Sequence, residues 1–249
     1  MASEEFLYGL HSVELAIKRD KKRIKRVYLL HASKNAKLQK IIQLCKAHHI
    51  AFEMVDKLFF TQYQLEKVNH QGVTALVEAK TMGSEADLKR LLENLSHEPL
   101  ILLLDGVTDP HNLGACLRTA NAAGVDALVV PKDRSVGLNA TACKVASGAA
   151  DVTPVFQVTN LNRTIDYLKS LNIWLYGTAG EVKDTLYTTT FTGGVALVMG
   201  SEGEGLRQST RSHCDFLIKI PMLGQVSSLN VSVATGVVLF EVVRQRVAQ

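Results

Sequence analysis

From Leu100 to Pro221 the chain repeats one pattern: a short, nearly unbroken apolar run, a turn, then residues of helical periodicity. The runs are Leu100 to Asp105, Ala127 to Pro131, Thr153 to Val158, Ile173 to Thr178, Val195 to Gly200 and Phe216 to Pro221. A strand with one wet face alternates apolar and polar residues, whereas a strand covered on both faces reads as a continuous apolar run. Runs of that kind separated by helices predict a parallel sheet with helices on both sides. The expected fold class is therefore α/β, with a Rossmann-like parallel-sheet domain at the C-terminal end. The last helix, from about Ser228 to Arg246, carries Leu229, Val231, Val233, Val237, Val238, Leu239, Phe240, Val242 and Val243, too many for one stripe. It is expected to be buried on more than one face, within its domain or against a second subunit.

Ahead of this region, residues 5–79 read as a small α/β unit. It has a helix near Ser12 to Arg19, a strand at Val27 to Leu30, a helix at Leu38 to His48 and a closing strand at Val73 to Glu78. Between the two regions Met82-Gly83-Ser84 acts as a breaker, followed by one short amphipathic helix around Leu88 to Leu95. The expected division is a domain over 1–79, a linker over 80–98 and a second domain over 99–249.

Composition removes several function classes. Four cysteines, Cys45, Cys116, Cys143 and Cys214, form no CxxC pair and no zinc-type spacing, so neither a disulfide scaffold nor a metal site is expected. No stretch approaches the roughly 20 apolar residues of a membrane span, and a cytoplasmic location is expected. The net charge of +4 is uneven, because residues 1–80 hold 14 Lys and Arg against 8 Asp and Glu. Lys18, Arg19, Lys21, Lys22, Arg23, Lys25 and Arg26 surround a single acid, Asp20. Such a cluster suits either a polyanion or a solvated helix end.

In open α/β sheets ligands bind beyond the carboxyl ends of the strands, so the loops that follow strands carry the information. After the first run comes Asp105-Gly-Val-Thr-Asp-Pro-His-Asn112-Leu-Gly114, then a helix with Arg118. Asp109, Pro110 and Asn112 make a turn and helix start. That leaves Arg118 unexplained, since a cation near a helix start opposes the dipole unless an anion is present. After the fifth run comes Gly200-Ser-Glu202-Gly203-Glu-Gly205, either a tight turn or a close approach to a ligand. It is not a dinucleotide fingerprint, because GxGxxG is absent, and GxxxxGK[ST] is absent too. After the sixth run comes Ile220-Pro-Met222-Leu-Gly-Gln-Val-Ser-Ser228-Leu229-Asn230, whose serines suit a helix cap or a polar site. Asn230 is expected in the first turn of the last helix.

Together these loops resemble the three signature motifs of the SpoU/TrmH branch of the SPOUT methyltransferases. They are Asn112-x-Gly114-x-x-x-Arg118, Leu197-Val-Met-Gly200-Ser-Glu202-Gly203-x-Gly205, and Ile220-Pro-Met222 through Ser228-Leu229-Asn230-Val231-Ser232, in the family's order. Tyr8-Gly9-x-His11 and His70-Gln71-Gly72 resemble the start and end of the family's RNA-binding N-terminal domain, so nearly the whole chain is covered. Asp105 through Arg118 and Val130-Pro-Lys-Asp-Arg134 are most similar to members that methylate a guanosine ribose in 23S rRNA, in the loop contacting the P-site tRNA.

The resemblance implies an L30e-like RNA-binding domain in front, a deep C-terminal trefoil knot, a homodimer, and S-adenosylmethionine as cofactor. It implies a cofactor pocket of Thr178, Ala179, Gly180, Met199, Gly200, Gly203, Ile220, Met222 and Leu229. By the same resemblance Arg118 is the central catalytic residue, with Asn112, Glu202, Ser228 and Asn230 around it. Lys21, Lys22, Lys25, Arg26 and His11 are expected to bind RNA, either 23S rRNA or a ribosome-assembly precursor. Two rivals remain within reach of the same motifs: an enzyme acting on tRNA or another rRNA nucleotide, and an RNA-binding relative without catalysis. A nucleotide-dependent dehydrogenase is disfavoured by the missing GxGxxG.

Overall fold

The computed structural model describes residues 4–31, 36–65, 68–78 and 81–248, and for Arg19 the backbone alone. Met1, Ala79, Lys80 and Gln249, which bound the expected domains, lie outside the described residues, as does the Arg19 side chain. The chain divides into two compact units, Met1–Lys80 and Thr81–Gln249.

In the first unit β1 (Glu4–Tyr8), α1 (Leu10–Arg19), β2 (Ile24–Leu30), α2 (Ala36–Ala47), β3 (Phe52–Val55), α3 (Lys57–Gln62) and β4 (Val73–Glu78) follow in order. The sheet order is β1-β4-β2-β3, with β2 and β3 parallel and the other pairs antiparallel. Val13 and Ile17 of α1 and Leu38, Ile41 and Cys45 of α2 share one core with Val27, Leu29, Val73, Ala75 and Val77. β1, β3 and α3 were not expected. β1 begins Glu-Glu and β3 is four residues long with a central Glu, so neither offers a strong apolar alternation.

The second unit holds α4 (Glu85–Glu93), β5 (Leu100–Asp105), α5 (Pro110–Ala122), β6 (Ala127–Pro131), α6 (Ala140–Val145), β7 (Val155–Val158) and α7 (Leu161–Ser170). It continues through β8 (Ile173–Thr178), β9 (Gly194–Gly200), α8 (Gln208–His213), β10 (Phe216–Ile218) and α9 (Val231–Val247). Its sheet runs β10-β8-β9-β5-β6-β7 and every pairing is parallel. Alternate residues of the buried strands face opposite cores. Leu100, Leu102 and Leu104 join α5 and α9 on one side, while Ile101 and Leu103 join α4 and α7 on the other. Two-sided burial explains why β5 has no polar residue before Asp105.

Several boundaries shift by one to three residues, such as β7 starting at Val155 and β2 at Ile24, and three differences bear on packing or on the pocket. The stretch 80–98 is not a plain linker over its described part. Ser84 and Asp87 form a capping box that starts α4, and Leu88 and Leu92 are buried in the core beneath it. Burial of each leucine contributes about 1.5–3 kcal/mol, enough to bind the segment to its unit. The run Phe216 to Pro221 pairs as a strand only to Ile218. The last helix starts at Val231, so Ser227, Ser228 and Leu229 precede it and Asn230 is its N-cap rather than a first-turn residue. α9 buries Val231, Thr235, Val238, Leu239, Glu241 and Val242 and leaves Val233, Phe240 and Val247 exposed.

Two carboxylates set an acid limit on this fold. Glu14 lies 2.6 Å from Lys18 and 2.9 Å from Lys40, and these ammonium groups hold its carboxyl down at about 2. Arg244, with help from Gln245, holds Glu241 at about 2 as well. A carboxylate with a depressed folded pKa stabilises the protein above its unfolded value, 4.5 for these two, and loses that contribution as pH falls toward 2. The melting temperature is therefore expected to hold from neutrality down to about pH 5 and then to drop. Glu14→Gln and Glu241→Gln should each flatten the drop; an unchanged acid profile in the double variant would refute the assignment.

Candidate active site

The carboxyl ends of β8, β9 and β10, together with the start of α9, enclose a pocket of about 790 Å³. It sits beside β5, where the strand order reverses: the chain moves from β5 out to β6 and β7, then crosses to the other half of the sheet. Open α/β sheets place ligands at such a switch point.

The wall after β9 is a closed turn. Ser201 and Gly205 exchange backbone hydrogen bonds of 3.1 and 3.0 Å, and Gly203 and Gly205 have φ of 85° and 69°, a region that favours glycine. Gly200 is needed for another reason. A Cβ there would lie 2.1 Å from the Gly205 carbonyl carbon and 2.3 Å from the Leu206 nitrogen. Opposite, Ile220, Met222 and Leu229 give the pocket apolar surface, while Thr178, Ala179 and Gly180 bring main-chain groups.

On the pocket wall one amide is held at both ends. The Nδ2 of Asn230 donates to Asn112 Oδ1 at 3.0 Å and to Glu202 Oε1. Its Oδ1 accepts from Ser232 N at 2.9 Å, Ser232 Oγ at 2.6 Å and Val233 N at 3.4 Å, which caps α9. Glu202 also accepts from Val231 N at 3.4 Å, placing its carboxylate against the positive end of the helix. Residues from all three expected loops thus meet in one hydrogen-bonded group, and the partners fix which way the amide points.

All nine residues expected around a cofactor line this pocket: Thr178, Ala179, Gly180, Met199, Gly200, Gly203, Ile220, Met222 and Leu229. Glu202, Ser228 and Asn230 line it too. Asn112, 9% exposed on α5, reaches it through Asn230. Arg118 does not line it. That arginine is the ninth residue of α5, well past the helix start from which the dipole argument began, and it is exposed on the helix surface. It has no hydrogen-bond or ion-pair partner among the described residues. Sequence reasoning passed over Arg211, which pairs with Glu181 on the pocket wall, and Lys219. The position of Lys219 directly after β10 was the available signal, whereas Arg211 stands on α8, between β9 and β10, and nothing in its spacing marked it.

Buried thiols offer no nucleophile here. Burial pushes Cys45 and Cys116 up to about 11 and Cys214 up to about 12, so all three stay protonated at neutral pH. Among the described residues no three His, Cys, Asp or Glu side chains are placed to hold a metal ion, and no helix is long and apolar enough to cross a membrane.

In the first unit the two motif passages meet: Gln71 Oε1 accepts from Leu10 N at 3.0 Å, next to the exposed His11. The basic cluster is more neutralised than its sequence implies. Lys25 lies 3.1 Å from Glu78, Arg26 2.9 Å from Glu53, and Arg23 bonds the Glu78 carbonyl as well as pairing with Asp20 and Glu5. Lys21 and Lys22 remain exposed without a partner among the described residues.

Residues 99–240 match the SpoU rRNA Methylase family, and residues 6–83 match a family described as RNA 2'-O ribose methyltransferase substrate binding. The chain is 52% identical over 242 residues to the 23S rRNA (guanosine-2'-O-)-methyltransferase RlmB of Pectobacterium atrosepticum, covering 97% of this chain and 98% of that protein. It is 51% identical over 245 residues to the protein of the same description from Escherichia coli K12, covering 97% and 99%. The fold is similar to that of the SpoU methyltransferase AviRb from Streptomyces viridochromogenes in complex with AdoMet, with a TM-score of 0.80 and 23% identity over 100% of this chain and 92% of that one.

Proposed function

The chain belongs to the SpoU rRNA Methylase family, and on that premise we propose that it moves a methyl group from S-adenosylmethionine to the ribose 2'-hydroxyl of a guanosine in 23S rRNA. The observation that carries this reading is the pocket on which the loops after β8, β9 and β10 converge, with Glu202 and Asn230 on its wall locked to each other and, through Asn230, to Asn112 of α5. Its size suits a ligand as large as S-adenosylmethionine, and apolar side chains beside exposed main-chain groups suit the faces and edge of an adenine. When bound, that cofactor supplies an electrophilic methyl group. Met199, Gly200, Gly203, Ile220, Met222 and Leu229 would hold it, with Thr178 to Gly180.

The protein's own part is orientation and charge. Ser228, on the pocket wall, hydrogen-bonds the ribose or the neighbouring phosphate, while Asn230, whose amide is committed to Asn112, Glu202 and the start of α9, keeps that wall in place; orientation of this kind supplies several kcal/mol. Glu202 holds Asn230 and the α9 end in place. Arg118 binds the phosphate beside the target and stabilises the oxyanion as it forms.

Because Arg118 stands outside its own chain's pocket, it acts on the pocket of a second subunit. Exposed Val233 and Phe240 on α9 supply the dimer contact, on the helix that packs along α5 where Gly236 faces Thr119. The loop after β8 supports the trefoil knot. It bonds β10's continuation through Leu186 N to Lys219 O at 2.8 Å, and α9 through Gln245 to Thr189 and Phe191 at 2.9 Å each. The N-terminal unit is read as the L30e-like RNA-binding domain, presenting a single-stranded loop of 23S rRNA or its assembly precursor in the cytoplasm.

Transfer of labelled methyl groups to 23S rRNA, with 2'-O-methyl positions mapped in cells with and without the gene, tests the reading. One guanosine in the P-site loop should lose its methyl; a lost tRNA methyl would transfer the chemistry to another substrate. Binding is tested separately. Lys21→Ala with Lys22→Ala should flatten the salt dependence of RNA binding by about 0.7 log unit per lost phosphate contact, whereas Lys25 and Arg26, already paired, should matter less. Equal salt slopes in wild type and the Lys21/Lys22 variant would leave those lysines a solvated surface.

A further inference from the structure

One buried charge is used by nothing in the reaction above. Asp105 ends β5 with its side chain 0% exposed. Its Oδ1 accepts from Arg207 Nε at 2.7 Å and lies 2.6 Å from Nη2, and its Oδ2 accepts from the Arg207 backbone N at 3.2 Å. A charge pair taken out of water rarely stabilises a fold more than apolar residues of the same size would. What it does supply is position. The three contacts fix both the main chain and the side chain of Arg207, which follows the turn after β9, to the end of a central strand.

Two further constraints act on the same turn. Ser201 and Gly205 close it with their paired backbone hydrogen bonds. The turn leaving β5 lies against it, since a Cβ on Gly106 would sit 3.6 Å from Ser201 Cβ. Between these points stand Glu202, Gly203 and Glu204, all on the pocket wall. Asp105 itself does not line the pocket, so any effect it has on a ligand passes through Arg207 and the turn.

We propose that Asp105 is a positioning residue for the cofactor wall, acting through Arg207 to hold residues 201–206 in the shape that binds S-adenosylmethionine. The proposal rests on the cofactor assignment made above and adds a residue pair to it. Asp105→Asn keeps the size of the side chain and removes its charge. Arg207→Gln removes the fork and Arg207→Lys keeps the charge without it. Cofactor affinity by calorimetry, single-turnover rate at saturating cofactor, melting temperature and amide hydrogen exchange are measured on each full-length variant.

Asp105→Asn and Arg207→Gln should each weaken cofactor binding by about ten-fold or more, the scale on which small misplacements of supporting groups act. The rate at saturating cofactor should stay within about three-fold, which places the loss in binding rather than chemistry. Amides of 201–206 should exchange faster while those of β9 stay protected. The double variant should be no weaker than the worse single one, because both break one interaction, and Arg207→Lys should fall between. Leu88→Ala, which empties a buried site in α4 where that helix packs on β7, at the far edge of the sheet, gives a destabilised control away from the turn. A folded Asp105→Asn protein with wild-type affinity overturns the proposal, as does a loss matched by Leu88→Ala at the same melting temperature. Wild-type protein that bound no S-adenosylmethionine would instead overturn the cofactor assignment, and unchanged exchange in 201–206 would still reject the pair.

Discussion

Gly200→Ala is expected to abolish measurable cofactor binding. The new methyl group would stand 2.1 Å from the Gly205 carbonyl carbon, 2.3 Å from the Leu206 nitrogen and 2.4 Å from the Gly205 oxygen. All three are backbone atoms inside a turn closed by the Ser201 and Gly205 hydrogen bonds, so no side chain can swing aside to make room. Overpacking usually costs about 1–3 kcal/mol, and a clash with main chain belongs at or beyond the top of that range. The turn must open, and with it the wall that holds Glu202 against Asn230. A lowered melting temperature should accompany the loss. An alanine variant that bound S-adenosylmethionine normally would show that the turn adapts and that its shape does not set affinity.

Arg118→Ala should cost turnover about 10²-fold or more, the usual effect of losing a positioned electrostatic group. Stability should scarcely change, because the side chain is exposed and has no partner among the described residues to lose. Lysine should rescue poorly, since a point charge cannot span phosphate and ribose as a planar fork can. The surface position of Arg118 adds a sharper test. If it serves the pocket of a second subunit, an Arg118→Ala chain mixed with an Asn230→Ala chain should recover activity that neither has alone. In such a mixed dimer one pocket keeps both residues. Near-normal methyl transfer by folded Arg118→Ala protein would sink the catalytic role, and failure of the mixture to recover would confine the arginine to its own chain.

β5, β6 and β8 were legible to the residue, because strands buried on both faces are written as uninterrupted apolar runs. The same signal misled at Pro221, where Ile220 and the proline are apolar because they line a pocket. It misled again at 80–98, where Leu88 and Leu92 looked like a linker's helix and are core. Loop order alone pointed to the turns after β5, β9 and β10, whereas the individual pocket residues, Thr178 to Gly180 among them, followed from the family resemblance. What no linear pattern carried was pairing over distance. Glu53 and Glu78, which neutralise Arg26 and Lys25, stand 27 and 53 residues away. Asp105 and Arg207 are 102 apart, and nothing about either residue alone points to the other. Likewise, the place of Arg118 outside its own pocket depends on how α5 is turned within the sheet's layers, which residue spacing does not specify.

The clasp on α9 bears on how the molecule comes into being. Gln245 holds the strand-linking loop at Thr189 from 56 residues later in the chain, and Arg246 reaches back 148 residues to the Glu98 carbonyl. Contacts of such separation form slowly, because loop closure is unfavourable until the distant partner is in hand. During synthesis the sheet can assemble, and its other pocket walls can be roughly in place, while the helix whose start completes the pocket is still missing. The protein therefore gains its binding capacity late, in one step, when α9 docks. A nascent chain halted short of that helix would lack the pocket's α9 side, and with it a place for the cofactor, although its N-terminal unit would already be complete.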